Sequence, residues 1–283
     1  MRISLKNRLK FTPFSTVIYV FVILWCAVFF ACSFWLVMNA FKSRNQFLVD
    51  NIGWPDPFSI GNFGKAFSEL ARTGKSVPVM VFNSLWRTIG SIAISTASCH
   101  FLAYCLSKYK FPGRNVIYWT SIITMMLPVY GTLPAQLKLY YALGIYDSPL
   151  ILISAIGIGG ILIPYACYSS LSWSFAEAAF LDGAGHFTVY FKIMLPQMVP
   201  IITALSVTAF IGGWNDYMNS IVFMPSYFTL STGLYIYQQE TAREYQYTVL
   251  FAGILMSIVP VVVLFSLFQK TLLQVDISGG LKG

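Results

Sequence analysis

Side chains that trade protons, metals or electrons must come in workable patterns, and this chain offers few. Cys26, Cys32, Cys99, Cys105 and Cys167 all lie in apolar runs, with no C-x-x-C pair among them. Cys99 adjoins His100, but neighbours on a helix point about 100° apart, a poor start for a metal site. These cysteines read as small apolar packing residues, with neither a disulfide framework nor a zinc site. His100 and His186 have no catalytic partner within their own segments, so no nucleophile is paired with a base. Gly74-Lys75-Ser76 resembles the end of a phosphate-binding loop, yet the position that needs the first glycine holds Glu69. Gly157-Ile158-Gly159-Gly160 fails as a dinucleotide fingerprint because residue 162 is leucine. Close helix packing explains such small residues equally well. No catalytic residue, metal ligand or cofactor site is expected in the chain itself, which points away from an enzyme.

The elements that carry these residues are membrane helices. Of 283 residues, 57% are hydrophobic and only 10% charged, against about 25% charged in a soluble domain. Mean hydropathy is +0.69. Residues 11–41 hold no charge, and further charge-free runs cover 88–107, 115–137, 148–176, 193–215 and 245–269. Each is long enough to cross a bilayer, which takes roughly 20 residues. Their continuous apolarity excludes an alternating membrane barrel. The expected fold is therefore all-α: one polytopic domain over residues 1–283 with six transmembrane helices. The second helix begins upstream of Arg87, because 79–86 is also apolar. The first run is taken as a retained helix, since no small-residue cleavage pattern follows a short core.

Basic residues near span ends orient the chain. Arg2, Lys6, Arg8 and Lys10 precede the first span, and Lys108, Lys110 and Arg114 sit between the second and third, with no acid in either segment. Both segments face the same side in a six-span chain, so the N- and C-termini are expected inside. Residues 42–78 run against this with five basic residues on the expected outer side, though three acids accompany them. The net charge of +8 reads as a topology signal, with no call for nucleic acid. The resulting plan has a cytoplasmic N-tail (1–13), an outer loop (42–78), a cytoplasmic loop (170–197) and a cytoplasmic C-tail (270–283).

The loop between spans four and five is the informative segment. It reads Ala176-Glu177-Ala178-Ala179-Phe180-Leu181-Asp182-Gly183-Ala184-Gly185-His186 and continues to Ile193-Met194-Leu195-Pro196. Glu177 and the alanines favour helix. Asp182-Gly183 marks a turn in which Gly183 is free to adopt positive φ. Phe187, Tyr190, Phe191, Met194 and Leu195 come next at i, i+3, i+4, i+7 and i+8, one apolar stripe. Read alone, the segment suits either an ordinary interfacial helix or a small-faced knob for a cytoplasmic partner.

This stretch resembles the EAA motif of ATP-binding-cassette importer permeases, E-A-A-x-x-D-G-A followed by eight residues and I-x-L-P. Glu177, Ala178, Ala179, Asp182, Gly183, Ala184, Ile193, Leu195 and Pro196 match. Asn83-Ser84, Leu127-Pro128, Leu133-Pro134, Gly144, Trp214-Asn215-Asp216 and the tail Gly279-Gly280-Leu281-Lys282-Gly283 are similar to the carbohydrate branch of that family. The resemblance implies a permease subunit in a bacterial cytoplasmic (inner) membrane, paired with a second permease, two ATPase subunits and an external solute-binding protein. ATP and magnesium would be held by the ATPase, with no cofactor in this chain. Glu177, Ala178, Ala179, Asp182, Gly183 and Ala184 would form the coupling helix, and Gly280, Lys282 and Gly283 would reach between the ATPases. The loop 224–244 would lie outside and meet the solute-binding protein; by residues alone it is an aromatic-rich loop.

A sugar carries many hydroxyls, each costing several kcal/mol to bury without a partner, so a polar path between helices is required. Asn83, Gln136, Trp214, Asn215 and Tyr217 are the expected path residues, since aromatic faces stack on sugar rings while amides bond hydroxyls. The same types also serve membrane interfaces and helix contacts. Asp216 borders the end of the fifth run, about 20 residues along that helix and so near the expected outer surface, where an ion site is the competing use. Import of another solute, such as an amino acid or polyamine, is the neighbouring alternative. An autonomous channel or ion-coupled carrier would lack a coupling relay and leave the cytoplasmic motif unexplained.

Overall fold

The computed structural model describes residues 13–127, 131–157, 160–244 and 246–274. Among them there is no strand. The α-helices are α1 (Pro13–Ala40), α2 (Arg44–Val49), α3 (Gly61–Arg72), α4 (Val77–Lys108), α5 (Arg114–Met126), α6 (Leu133–Ala142), α7 (Leu162–Ser170) and α8 (Ser174–Leu181). They continue as α9 (His186–Val189), α10 (Leu195–Gln197), α11 (Val199–Trp214), α12 (Met218–Phe223), α13 (Leu230–Glu244) and α14 (Tyr247–Gln274). A 3₁₀ segment occupies Pro149–Ala155 and a π turn Tyr190–Met194. Among the described residues, three helices are each long and apolar enough to cross a membrane, Pro13–Ala40, Val77–Lys108 and Tyr247–Lys270. A fourth candidate is the pair His186–Gln197 and Val199–Trp214, bent by 70°.

The long runs at 115–137 and 148–176 are not continuous helices. The first stops at Leu127 and resumes at Leu133 with Pro134 in its opening turn. Proline lacks the N–H and restricts the residue before it, so the helix restarts there. The second opens as the 3₁₀ segment, leaves helix at Ile156 and Gly157, and starts again at Leu162 after Gly160 at φ +83°. Gly157 and Gly160, the described glycines of the run, thus lie outside helix, in keeping with glycine's poor propensity, about 1 kcal/mol per residue against alanine. Cys99 Sγ donates to the Gly157 carbonyl at 3.5 Å. The aromatic-rich loop at 224–244 is also mostly helix. Thr229 Oγ1 caps α13 by accepting the Thr232 N–H. The polar stretch Gln238-Gln239-Glu240-Thr241-Ala242-Arg243 reads as loop by its polarity, yet it holds no glycine or proline to stop the helix.

The chain divides into two compact units. One takes in residues up to Glu69 with Tyr237–Met256. There Asn62 Nδ2 donates to the carbonyls of Ala40 (2.8 Å) and Lys42 (2.7 Å), closing the end of α1. Phe47 lies against Tyr247 and Phe251, and Trp35 meets Phe251 edge-on at 5.4 Å.

The other unit takes in Leu70–Ile236 and the residues from Ser257 onward. Its axis is α4, against which α7, α11 and the 3₁₀ segment lie. Gly90 lets the 3₁₀ segment come close, since a Cβ there would stand 2.7 Å from Leu152 Cδ1. Gly90→Ala should be absorbed by a swing of that one methyl. Gly90→Leu should overpack the contact at a cost of about 1–3 kcal/mol, read as a lowered thermal midpoint of the purified protein. α6 ends in a Schellman turn at Gly144 (φ +68°), with Ile145 N–H on the Tyr140 carbonyl and Gly144 N–H on that of Tyr141.

Candidate functional site

The segment expected to dock a partner is a helix, a turn and a second, irregular helix. α8 ends in another Schellman turn. Ala184 N–H bonds the Ala179 carbonyl (2.9 Å), Gly183 N–H bonds that of Phe180 (3.0 Å), and Gly183 sits at φ +82°. The turn residues expected from the sequence are thus where the reversal occurs.

The two motif alanines differ in exposure. Glu177 and Ala178 are exposed, together with Phe175, Asp182 and Leu181, the last 89% exposed. Ala179, Phe180 and Ala184 pack against a buried cluster that includes Ala176, Tyr104, Tyr168, Tyr190 and Met194. The knob is therefore seated on a core and offers Glu177, Ala178 and Leu181 outward. Further anchors come from the turn after α4. Lys108 Nζ donates to the Leu171 carbonyl at 2.6 Å, a cation at a helix C-terminus. Tyr109 Oη and His186 Nδ1 are 2.9 Å apart, with the His186 ring against Phe180.

The stripe from Phe187 to Leu195 does not form one buried face. Tyr190 and Met194 are buried, whereas Phe187 and Phe191 are exposed. Within this stretch lies a π turn, in which Leu195 N–H reaches back five residues to the Tyr190 carbonyl. Pro196 has no N–H to continue an α ladder, so an extra residue is accommodated just before it.

A second feature is a cavity of about 290 Å³ in the same unit, lined by Arg87, Thr88, Ser91, Gln136, Ser154, Asp216 and Asn219 among others. Arg87 Nη2 donates to Asp216 Oδ2 at 2.8 Å, with side chains 13% and 24% exposed. Asn219 completes the carboxylate's shell, its backbone N–H on Oδ1 (3.1 Å) and its Nδ2 on Oδ2 (2.9 Å). Of the expected path residues, Gln136 lines this cavity. Asn83 is instead buried and bonded to the Phe228 carbonyl and Trp86 Nε1. Trp214 is buried, donates Nε1 to the Ser257 carbonyl at 3.0 Å and stacks on Phe210. Asn215 donates to the Ile211 carbonyl, and Tyr217 stacks on Tyr235 at 4.2 Å. Sequence patterning misses Arg87, which reads there only as the interruption of an apolar run. The signal that marks it is a lone base and a lone acid at the borders of otherwise charge-free segments, which tend to pair. Gly280, Lys282 and Gly283 lie outside the described residues.

Comparison with known proteins agrees with this architecture. The chain is 25% identical over 263 residues to the diacetylchitobiose uptake system permease protein of Streptomyces coelicolor, covering 91% of this chain and 85% of the relative. It is 30% identical over 209 residues to the galactooligosaccharides transport system permease protein of Bacillus subtilis, covering 71% and 73%. A solved bacterial ABC transporter involved in import of the acidic polysaccharide alginate has a chain of the same fold. That match has a TM-score of 0.73 and 20% identity, over 92% of this chain and 98% of the other. Residues 93–272 match the family model for binding-protein-dependent transport system inner membrane components, and the chain belongs to that family.

Proposed function

We propose that this chain is the permease subunit of an ATP-binding-cassette importer and forms half of the transmembrane path for a sugar or oligosaccharide. The observation that carries the reading is the knob at 174–184: a Schellman-closed helix on a buried base, with Glu177, Ala178 and Leu181 directed away from the chain. Sugar permeases among the relatives support the solute class. So does the cavity, in which Arg87 and Asp216 neutralise each other beside amides and hydroxyls. A neutral polyhydroxyl solute suits such a lining better than a cationic polyamine or a zwitterionic amino acid, whose charge would find no spare counter-charge in it.

In this reading six spans cross the membrane: α1, α4, α5 with α6, the 3₁₀ segment with α7, the bent pair ending in α11, and α14. The knob and both termini face the cytoplasm. A second permease completes the path, two ATPase subunits hold ATP and magnesium, and an external solute-binding protein delivers the solute. Glu177 supplies a charged contact to a basic ATPase residue, and Ala178 allows close approach. Ala179 and Ala184 hold the knob to its base, while Asp182 and Gly183 set the turn. Gly280, Lys282 and Gly283 contact the ATPases, and Gln136, Asn219 and Ser91 bond the solute.

Glu177→Lys tests the coupling. Reversing a charge at a docking contact costs about 2 kcal/mol or more, roughly 30-fold in affinity. Tagged permease should then lose the ATPase on co-purification, and uptake of labelled oligosaccharide should fall with membrane levels unchanged. Retention of the ATPase with wild-type uptake would sink the assignment.

A further inference from the structure

The segment between α1 and α3 shows an apolar tip that the transport reading does not use. Leu48, Val49, Ile52, Trp54, Phe58 and Ile60 are all exposed, Val49 by 91% and Ile52 by 83%. A patch of this kind on ordinary solvated surface is a liability. Here the backbone around it is tied up internally. Asp50 Oδ1 accepts the N–H groups of Ile52 (3.0 Å) and Gly53 (2.8 Å), and Asp50 N–H bonds the Gln46 carbonyl. Lys42 Nζ donates to the Asp50 carbonyl, and Gln46 Nε2 donates to that of Trp54. The Gly53 and Ile52 N–H groups hold the Asp50 carboxyl below its ordinary value. Gly53 is required for this closure, because a Cβ there would collide with the Asp50 carboxylate. These bonds satisfy part of the turn's polar groups, which lowers the cost of bringing it to the polar–apolar boundary of a bilayer.

Depth is set by α1. That helix has 28 residues and none of its most apolar stretch is buried, so its flanks are left to lipid. At 1.5 Å per residue it is about 42 Å long, more than the roughly 30 Å hydrocarbon core. The chain doubles back after Ala40, and the Trp54 ring comes to 6.3 Å from that of Phe34. Phe34 is six residues before the helix end, about 9 Å below it along the axis. Trp54 therefore sits beside the last turns of α1, at the level where tryptophan concentrates in membrane proteins.

We propose that the 48–60 tip is a membrane-interface anchor, in which Val49, Ile52 and Trp54 enter the lipid headgroup–acyl boundary at the C-terminal end of α1. The occupant is lipid because the patch continues the apolar surface of α1 through the Phe34–Trp54 contact. The anchor would fix the rotation and height of α1 against the bilayer.

The test uses the assembled transporter in nanodiscs of phosphatidylethanolamine and phosphatidylglycerol, with the native cysteines replaced. Spin labels are placed singly by Ile52→Cys, Leu24→Cys as the lipid reference and Lys65→Cys as the water reference. Collision with oxygen, which enters lipid, is compared with collision with a water-soluble nickel complex. The label at 52 should show an oxygen-to-nickel ratio several-fold above that at 65, shifted toward that at 24. A ratio equal to that at 65 overturns the proposal by placing the tip in water. Protection from both reagents overturns it by placing a protein partner over the tip. Wild-type uptake by the labelled variants alongside either result would leave the transport reading standing.

Discussion

Gly183→Val is expected to abolish coupled uptake while the protein still inserts and accumulates in the membrane. At φ +82° an L-residue pays about 1–2 kcal/mol, and a β-branched one is the poorest choice there. An added Cβ would meet nothing within 4 Å, so the effect comes from the backbone alone. Relaxing φ breaks the bonds from Ala184 to Ala179 and from Gly183 to Phe180 and swings α8 off its buried seat. Gly183→Asn separates backbone from bulk, since asparagine tolerates the left-handed region. It should retain most of the uptake that valine loses. Equal failure of both variants would mean that bare glycine surface matters and the turn does not. Uptake of labelled oligosaccharide, normalised to permease in the membrane, reads the difference.

The second large effect is expected at the ion pair. Arg87→Leu leaves Asp216 with Asn219 alone, and Asp216→Asn leaves a guanidinium uncompensated beside the cavity. Losing one partner of a largely buried pair costs about 3 kcal/mol, so either variant should unfold at a clearly lower temperature in detergent. Arg87→Leu with Asp216→Leu removes both charges and should recover most of that loss. It should not recover uptake, because two leucines turn that wall of the cavity apolar. A thermodynamic cycle over the four proteins measures the coupling. Strict additivity of the single changes would show that the pair does not act as one.

The first, second and sixth runs are legible as helices by length and apolarity, and the helix continues even through Pro260 in the sixth. The third and fourth are legible as apolar segments only. Run length counts charge and ignores where Pro134 and Gly160 force the backbone out of register. The docking turn is legible in detail, since Asp182-Gly183 after a helix former leaves little other geometry. The different exposure of Ala178 and Ala179 stems from the tyrosine-rich base that α4 and α7 supply, which no local pattern contains. Polar path residues are the least legible. Asn83 and Trp214 have the right chemistry but spend it on the carbonyls of Phe228 and Ser257, contacts between residues far apart in sequence.

The π turn at Tyr190–Met194 has a mechanical side. Five residues span what four would in an α turn, so the joint between the knob and α11 holds one residue of slack. In the proposed docking, thrust at Leu181 would be taken up by winding or unwinding that spare residue, turning α10 about its axis by up to about 100° just before the 70° bend into α11. A one-residue deletion there would lock the gear: the helix would run on as plain α from His186, with α10 entering the bend on a different face.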